Sequence, residues 1–184
     1  RVPAGTRLKG ATLKLETYQS SNNTYQNLVC PVIIFEKNKY LIWILTNDDD
    51  QFTKGSYIKY YESIDGKNWS YIRDIHVYIE PDHMPWHFDI EKKNDTYHMV
   101  YSTRSISNYN DLRYIAYAYS NNNINYKSSI ILSKSKKWYR WDNYKMHRPS
   151  IAFVNGKCLL YYSAQNKYFH WGTGVLDIST IIKI

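Results

Sequence analysis

The chain has 184 residues, of which 43% are hydrophobic and 17% aromatic, and its formal net charge is +8. A chain of this length and composition can bury a core, which excludes a disordered polymer. No apolar run approaches the roughly 20 residues that cross a bilayer, so no membrane insertion is predicted. The positive charge favours an acidic partner, such as nucleic acid, anionic lipid or a phosphate-bearing glycan.

Short runs rich in Val, Ile, Tyr, Phe and Trp recur along the chain, and each is closed by a cluster of Asn, Asp, Gly or Lys. In chain order they are "PVIIF", "YLIWILT", "YIKYYES", "YHMVYST", "YIAYAYS", "SIAFV" and "CLLYYSA". Runs of this composition between turn residues are typical of strands. No window of about a dozen residues carries a sustained helical stripe. The sequence therefore predicts an all-β fold.

One short phrase occurs twice, as "SIDGKNW" at 63–69 and as "SNNNINY" at 120–126, 57 positions later. Asp-Gly in the first copy suits a tight turn with positive φ, and Asn-Asn stands at the same place in the second copy. An aromatic residue follows six positions after each serine and is expected to fill space between neighbouring sheets. Both copies are predicted to be scaffold rather than ligand sites.

A longer phrase occurs three times, at 30–46, 85–103 and 148–164. Each copy is a strand opened by proline, a polar turn and a second aromatic strand. The first and third copies align without gaps, and the middle copy is predicted to need a longer turn at "EKKND". Two hairpins per step, in steps somewhat longer than the roughly 40–50 residues of familiar blade repeats, predict the four-stranded blades of a β-propeller.

By this count the chain holds about three four-stranded blades, at roughly 30–75, 84–132 and 147–184. Residues 1–29 are predicted to be a lead-in or the outer strands of a preceding blade, with those strands within 8–25. Three blades do not close a ring and leave strand edges exposed. The sequence therefore predicts part of a propeller that continues in a longer parent chain or pairs with another copy as a homo-oligomer.

The repeated motifs resemble the five-bladed propellers of the family-43 and family-32 glycoside hydrolases and their non-catalytic relatives, such as phage receptor-binding platform domains. The stretches that carry the resemblance are "CPVIIFEKNKYLIWI", "YYESIDGKNW", "PWHFDI", "HRPSIAFVNGKCLLYYSA" and "WGTGVLDIST", and it covers roughly residues 28–180. The resemblance implies that the first strand of each blade lines a central channel. In the enzymes of this group, carboxylates from separate blades meet there.

The residues of this chain depart from that carboxylate pattern. The position before the proline, where such enzymes often show Asp, is Cys30 in the first copy and Arg148 in the third. The middle copy offers Asp89, the only carboxylate in the three opening strands, unless a register shift brings in Glu80 or Asp82. Glycoside hydrolysis needs one carboxyl group to protonate the leaving oxygen and a second to activate water or attack the sugar. The pattern therefore favours binding, with Asp89 as the catalytic candidate only if the chain is an enzyme.

Four residues are the predicted ligand-binding set, namely Trp86, His87, His147 and Arg148. Trp86 either packs within the blade or offers a flat apolar surface to a sugar. The two histidines are either structural or ligand contacts. Arg148 stands beside an apolar strand and must find an anion or several hydrogen-bond acceptors. That anion is either Asp89, in an internal ion pair, or a phosphate or carboxylate of the ligand.

Other motifs predict no cofactor and no metal. "NDDDQ" at 47–51 lacks the spacing of an EF-hand and predicts a solvated turn. The two cysteines lack zinc-site spacing and are predicted to be free thiols. Neither a serine-nucleophile motif nor a phosphate loop occurs, and "WGTG" is not a dinucleotide fingerprint.

The segment "KSKKWYRWDNYKMHR" at 134–148 mixes lysine and arginine with tryptophan and tyrosine. This composition can hold phosphates and stack on bases or sugars. A connector between blades or the wall of a glycan groove is favoured over a nucleic-acid site.

The sequence therefore predicts a glycan-binding β-propeller, most concretely a receptor-binding module of the phage tail type that recognises an anionic cell-surface or cell-wall polysaccharide. Such a module would be extracellular or on the virion surface. The alternative is a glycoside hydrolase of the same superfamily, with Asp89 as one catalytic carboxylate. A scaffold that mediates only assembly is a third hypothesis.

Overall fold

The computed structural model describes residues 14–15, 28–47 and 55–182, and every regular element in these ranges is a β-strand. The strands are β1 (Lys14–Leu15), β2 (Val29–Glu36), β3 (Lys39–Asn47), β4 (Ser56–Ser63), β5 (Asn68–Ile75), β6 (His83–Lys93), β7 (Thr96–Ser105), β8 (Tyr114–Ser120), β9 (Lys127–Ser133), β10 (Lys145–Val154), β11 (Lys157–Gln165) and β12 (Trp171–Asp177). The all-β prediction is confirmed.

The strands form three antiparallel meanders, which we call blade 1 (β2–β5), blade 2 (β6–β9) and blade 3 (β10–β12). The first strand of the middle sheet, β6, contacts the first strands of both neighbours, β2 and β10. Sheets that meet through their first strands are the blades of a propeller around an axis. The predicted β-propeller architecture is confirmed, with three strands in the described part of blade 3 and β1 paired in parallel with β5.

The hairpin that opens each blade has the same two-residue turn. Its two residues have positive φ in all three blades: 48° and 60° at Lys37 and Asn38, 49° and 59° at Asn94 and Asp95, and 50° and 76° at Asn155 and Gly156. Two consecutive left-handed residues are the signature of a type I′ turn, whose twist matches that of the flanking strands. The prediction of a longer turn in the middle copy is wrong, because the three extra residues lie within β6, between Pro85 and its turn.

The twice-repeated phrase forms the outer hairpin turn of blades 1 and 2, as predicted. In blade 1 the Asp65 carboxylate accepts hydrogen bonds from the backbone N–H groups of Lys67 and Asn68, both at 2.8 Å. These bonds hold the pKa of Asp65 well below its usual range. In blade 2 the Asn122 side chain accepts the corresponding backbone bonds. An uncharged amide thus accepts the same backbone hydrogen bonds as a carboxylate. The turn therefore does not depend on the charge, as expected of a structural element.

Two buried apolar layers join the three blades. The layer between blades 1 and 2 is centred on Trp43, whose ring is fully buried and whose Nε1 donates to Asn123 Oδ1 at 3.0 Å. Tyr126, the aromatic of the second short phrase, packs against this layer and also donates to Asn123 Oδ1, at 2.7 Å. Trp69, its counterpart in blade 1, packs on the opposite face of that blade. The second layer joins blades 2 and 3.

Two of the predicted segments lie mainly outside the described residues. They are the outer strands within 8–25, apart from β1, and residues 48–51 of the predicted solvated turn. Among the described residues there is no helix with the length and apolarity that a membrane crossing requires.

Candidate functional site

The shared turns give a common reference for the first strands of the blades. Seven residues before the first turn residue stands Cys30 in blade 1, His87 in blade 2 and Arg148 in blade 3. Three different chemistries therefore occupy positions at the same distance from the turn. The prolines suggest a different alignment, in which Met84 stands opposite Cys30 and Arg148.

Each first strand has one end at the turn and another end away from it, and we call the second the axis end. The backbone brings the three positions together at the axis ends. Each first strand carries a one-residue β-bulge there, between Val29 and Val32, between Pro85 and His87, and between His147 and Ser150. Bulges redirect side chains and are common beside binding and active sites. Cys30 and Arg148 also have positive φ, at 55° and 42°. A left-handed residue directly before proline is strained, and such strain is concentrated at functional sites.

Cys30 and His87 form a close pair across blades 1 and 2. The distance from Cys30 Sγ to His87 Nδ1 is 2.7 Å. Burial raises the pKa of the Cys30 thiol, against an opposing effect of the Arg148 charge. Burial, aided by Arg148, lowers the pKa of His87 to about 4. At neutral pH the pair is a thiol and an uncharged imidazole rather than the thiolate and imidazolium of an activated cysteine nucleophile.

His147 extends this pair towards blade 3. Its ring centroid lies 4.3 Å from that of His87, edge to face. Burial, with the charges of His87, Arg148 and Lys145, lowers the pKa of His147 to about 4. Two adjacent uncharged imidazoles supply both hydrogen-bond donors and acceptors, which suits a ligand rich in hydroxyl groups.

Trp86 is half-buried, and Arg104 packs against its ring. The guanidinium carbon of Arg104 lies 4.1 Å from the Trp86 ring centroid and 4.2 Å from that of Tyr109, so the cation contacts both rings, which meet edge to face with centroids 6.2 Å apart. Arg104 is only 2% exposed. Cation–π contacts of a desolvated arginine hold aromatic rings firmly. Trp86 is thus both packed and oriented, with its ring centroid 5.5 Å from that of His87, edge to face.

Arg148 is exposed, and no described carboxylate forms an ion pair with it. The predicted ion pair with Asp89 does not form, because the Asp89 carboxylate is engaged elsewhere. Its Oδ2 accepts hydrogen bonds from Ser150 Oγ at 2.6 Å and from Ile151 N at 3.0 Å. Asp89 thus joins β6 to β10. Of the two alternatives for the Arg148 anion, the internal one is wrong.

The two upstream carboxylates of the alternative register also have partners of their own. Asp82 accepts hydrogen bonds from Ser105 Oγ at 2.6 Å and from Ser107 Oγ at 2.9 Å. Glu80 Oε2 lies 3.4 Å from His83 Nδ1. We call Cys30, Trp86, His87, His147 and Arg148 the axis cluster, and no described acidic side chain belongs to it.

The structure therefore brings together all four residues of the predicted binding set. Sequence reasoning missed Cys30 as a member, and it missed Arg104 and Tyr109 as supports of Trp86. Counting back from the turns would have aligned Cys30 with His87. An arginine inside the apolar strand β7 was a signal for Arg104, because a buried cation needs partners.

The axis cluster offers the permanent positive charge of Arg148, two uncharged imidazoles, a thiol and an oriented aromatic ring. In the described ranges no three His, Cys, Asp or Glu side chains are arranged to hold a metal ion. The arrangement can bind an acid group and neighbouring hydroxyl groups. Within the described chain it does not supply the pair of carboxyl groups that glycoside hydrolysis requires.

Comparison with known proteins finds no matching family model and no matching curated protein. Solved structures do match. An N-acetylgalactosamine deacetylase from F. plautii, in complex with blood group B trisaccharide, has a TM-score of 0.68 and 16% identity, over 84% of this chain and 50% of its own. A family 117 glycoside hydrolase from Zobellia galactanivorans has a TM-score of 0.68 and 19% identity, over 86% and 54%. The Bacillus subtilis arabinanase has a TM-score of 0.55 and 18% identity, over 81% and 56%.

These matches bear out the resemblance to the glycoside hydrolase propellers at the level of the fold. The chain spans about half the length of the first two structures. At identities below 20% the likeness concerns the architecture, and function has to be argued from the residues of the site.

Proposed function

We propose that this chain is a glycan-binding β-propeller whose axis cluster receives an acidic sugar. The observation that carries this proposal is Arg148, an exposed cation that no described carboxylate pairs, next to oriented aromatic and imidazole rings. Where the resemblance implies carboxylates from separate blades, this chain brings together Cys30, His87 and Arg148. Cationic and uncharged groups at these positions favour holding an acidic ligand over cleaving a glycosidic bond.

Each member of the cluster has a role in the proposed complex. Arg148 binds a carboxylate, sulfate or phosphate of the sugar, which its planar guanidinium can do with two parallel hydrogen bonds. His87 and His147 exchange hydrogen bonds with ring hydroxyl groups. Trp86 offers its accessible part to the C–H face of a sugar. Cys30 keeps the His87 ring in position through the contact at Nδ1.

The finer form of the proposal is a receptor-binding module of the phage tail type, located outside the cell or on the virion, that recognises an anionic cell-surface polysaccharide. The net charge of +8 and the aromatic fraction of 17% support a polyanionic partner. The fold likeness to a protein solved with a trisaccharide agrees with a glycan ligand.

The test is binding to a glycan array of acidic and neutral polysaccharides, repeated with Arg148→Ala and Trp86→Ala. Hydrogen bonds to charged groups contribute about 1.5–3 kcal/mol, so Arg148→Ala should weaken binding of an acidic glycan by about 10-fold or more. Lys127→Ala, which removes an exposed cation from the outer strand of blade 2, is the matched control and should change affinity little. Unchanged affinity in both site variants would contradict the proposal.

The hydrolase alternative remains a second candidate because all three solved structures described above are enzymes that act on glycans by name. It requires Asp89 to give up its contacts with Ser150 and Ile151 and to find a second carboxyl group. Arylglycoside turnover that disappears in a folded Asp89→Asn variant would favour this alternative. The absence of turnover in a preparation that binds acidic glycans would favour the binding module.

A further inference from the structure

Four exposed or cationic side chains gather at the axis end of blade 3, beyond the axis cluster. They are Trp138, from the 134–144 segment, and Lys167, Tyr168 and Phe169, from the turn between β11 and β12. The three aromatic side chains are 65%, 57% and 67% exposed. We call this set the blade-3 platform. Aromatic surface left open to this extent next to a cation is a mark of an interaction site.

Lys167 sits between two of the rings. Its Nζ lies 4.9 Å from the ring centroid of Trp138 and 5.0 Å from that of Tyr168. The contacts hold the ammonium group among aromatic faces, and no described carboxylate pairs with it. A cation among flat apolar surfaces is the combination that binds an acid group and a sugar face side by side.

The exposed Phe169 has an unfavourable backbone conformation. Its φ is 66°, in the left-handed region that a bulky side chain rarely adopts. The turn is held by Asn166, whose Oδ1 accepts from the backbone N–H groups of Tyr168 at 2.9 Å and His170 at 3.0 Å. Glycine or asparagine would suit this position better. The Phe169 ring meets that of Tyr144 edge to face, with centroids 5.7 Å apart, and leaves most of its surface exposed. A strained residue with an exposed ring is a candidate for a functional contact.

The 134–144 segment is fastened to the same turn. Asn143 Nδ2 donates to Lys137 O at 3.3 Å, and Asn143 Oδ1 accepts from Lys167 N at 2.9 Å. Trp141 lies over Gly174, where an added Cβ would come within 2.7 Å of the Trp141 ring. The platform is therefore preorganised, which lowers the conformational entropy that binding would cost.

The platform is continuous with the axis cluster. Gln165 Nε2 donates to Phe169 O at 3.3 Å, which ties the turn to the end of β11. From there Trp171, at the start of β12, reaches the cluster, with its ring centroid 5.6 Å from that of His147. A single extended ligand can therefore run from one to the other.

We propose that the blade-3 platform binds a second stretch of the same acidic polysaccharide whose first stretch occupies the axis cluster. This inference rests on the proposed function. The aromatic rings take sugar C–H faces and Lys167 takes a carboxylate, sulfate or phosphate. A polysaccharide is favoured over single-stranded nucleic acid because the platform continues into imidazole groups suited to hydroxyl-rich sugars.

The test compares long and short acidic probes by calorimetry. The long probes are polygalacturonate, dextran sulfate and a phosphomannan, which separate the three acid groups, and the short probe is trigalacturonate. Lys167→Gln should weaken binding of the long probes by about tenfold. It should leave trigalacturonate, which occupies only the axis cluster, unchanged. Neutral dextran should bind to neither region.

Phe169→Gly provides a readout that a structural role would not give. Because it removes a left-handed phenylalanine, the melting temperature should stay the same or rise, while affinity for the long probes falls. Tyr78→Ala, at an exposed tyrosine of the connection between β5 and β6, is the matched control and should leave affinity unchanged.

The possible failures are distinguishable. If Arg148→Ala weakens every acidic probe but the platform variants weaken none, the platform inference is wrong and the proposed function stands. If no acidic probe binds the wild-type chain, both are wrong. If an oligothymidylate displaces polygalacturonate and binds more tightly, the platform is a nucleic-acid site and the inference is overturned.

Discussion

The two ends of the blade-opening hairpins make an instructive comparison. At the turn end, all three have two left-handed residues, although the sequences are Lys-Asn, Asn-Asp and Asn-Gly. At the axis end, the position seven residues before the turn holds a thiol, an imidazole and a guanidinium. Different residues thus produce one geometry at the turns, while positions at the same distance from those turns carry different chemistry at the axis.

The difference shows which positions the fold constrains. A type I′ turn needs only residues that tolerate positive φ, so several sequences satisfy it. The axis end is not constrained to such residues, and its side chains meet across blades. Function in such an architecture is expected at the positions where the repeats disagree.

The largest predicted effect separates scaffold from site with two tryptophans. Trp43→Ala should lower the free energy of unfolding by about 3–5 kcal/mol, because it opens a cavity between blades 1 and 2 and leaves Asn123 with one donor fewer. Trp138→Ala, at an exposed ring, should change it by less than about 0.5 kcal/mol. Urea denaturation measures both. Equal losses would mean that Trp138 is part of the core.

The next effect concerns the support of the platform. Gly174→Ala should destabilise the protein by about 1–3 kcal/mol, because the new methyl group would overlap the rings of Trp141 and Tyr162. Thr173→Ala, on the other face of β12, is the control and should cost much less. A Gly174→Ala variant with wild-type stability would show that Trp141 can move without loss.

A smaller effect should appear in the pH dependence. His87 and His147 have pKa values of about 4 in the folded chain, against about 6.5 for an unfolded histidine. The unfolded chain binds more protons between these values, so stability is fully present above about pH 6.5 and declines as the pH falls towards 4.

The charged and titratable groups around this pair are Cys30, Lys145 and Arg148. Melting temperatures recorded from pH 7 to pH 4 for the wild type and for His147→Gln test the histidine contribution. The variant should lose less stability on acidification. Parallel curves would exclude a contribution from His147.

The smallest effect tests whether the three inner turns are interchangeable. Gly156→Ala places a Cβ in the left-handed region and should cost about 1–2 kcal/mol. Asn38→Gly makes the corresponding turn of blade 1 more like that of blade 3 and should cost nothing or gain a few tenths. Thermal unfolding resolves the two. A loss on Asn38→Gly would show that the asparagine side chain has a separate role.

The sequence predicted the strands, the repeats and the blade architecture because these follow from local patterns, namely apolar runs, turn residues and their spacing. It misplaced the middle copy, since Pro85 was taken as the reference and the extra length of β6 was assigned to its turn. The pairing of Cys30 with His87 and the engagement of Asp89 by Ser150 depend on contacts between blades. Such contacts follow from register, which the prolines alone did not specify.

The difference in accessibility between the two thiols has a practical use. Cys158 is completely buried and its pKa is raised to about 11, whereas Cys30 is only half-buried and touches the proposed ligand site. A thiol-reactive dye applied to the native protein should therefore label Cys30 alone, at a slow rate. Because a bound sugar would cover that sulfur, protection from labelling offers a direct, tag-free way to titrate occupancy and to screen carbohydrate libraries.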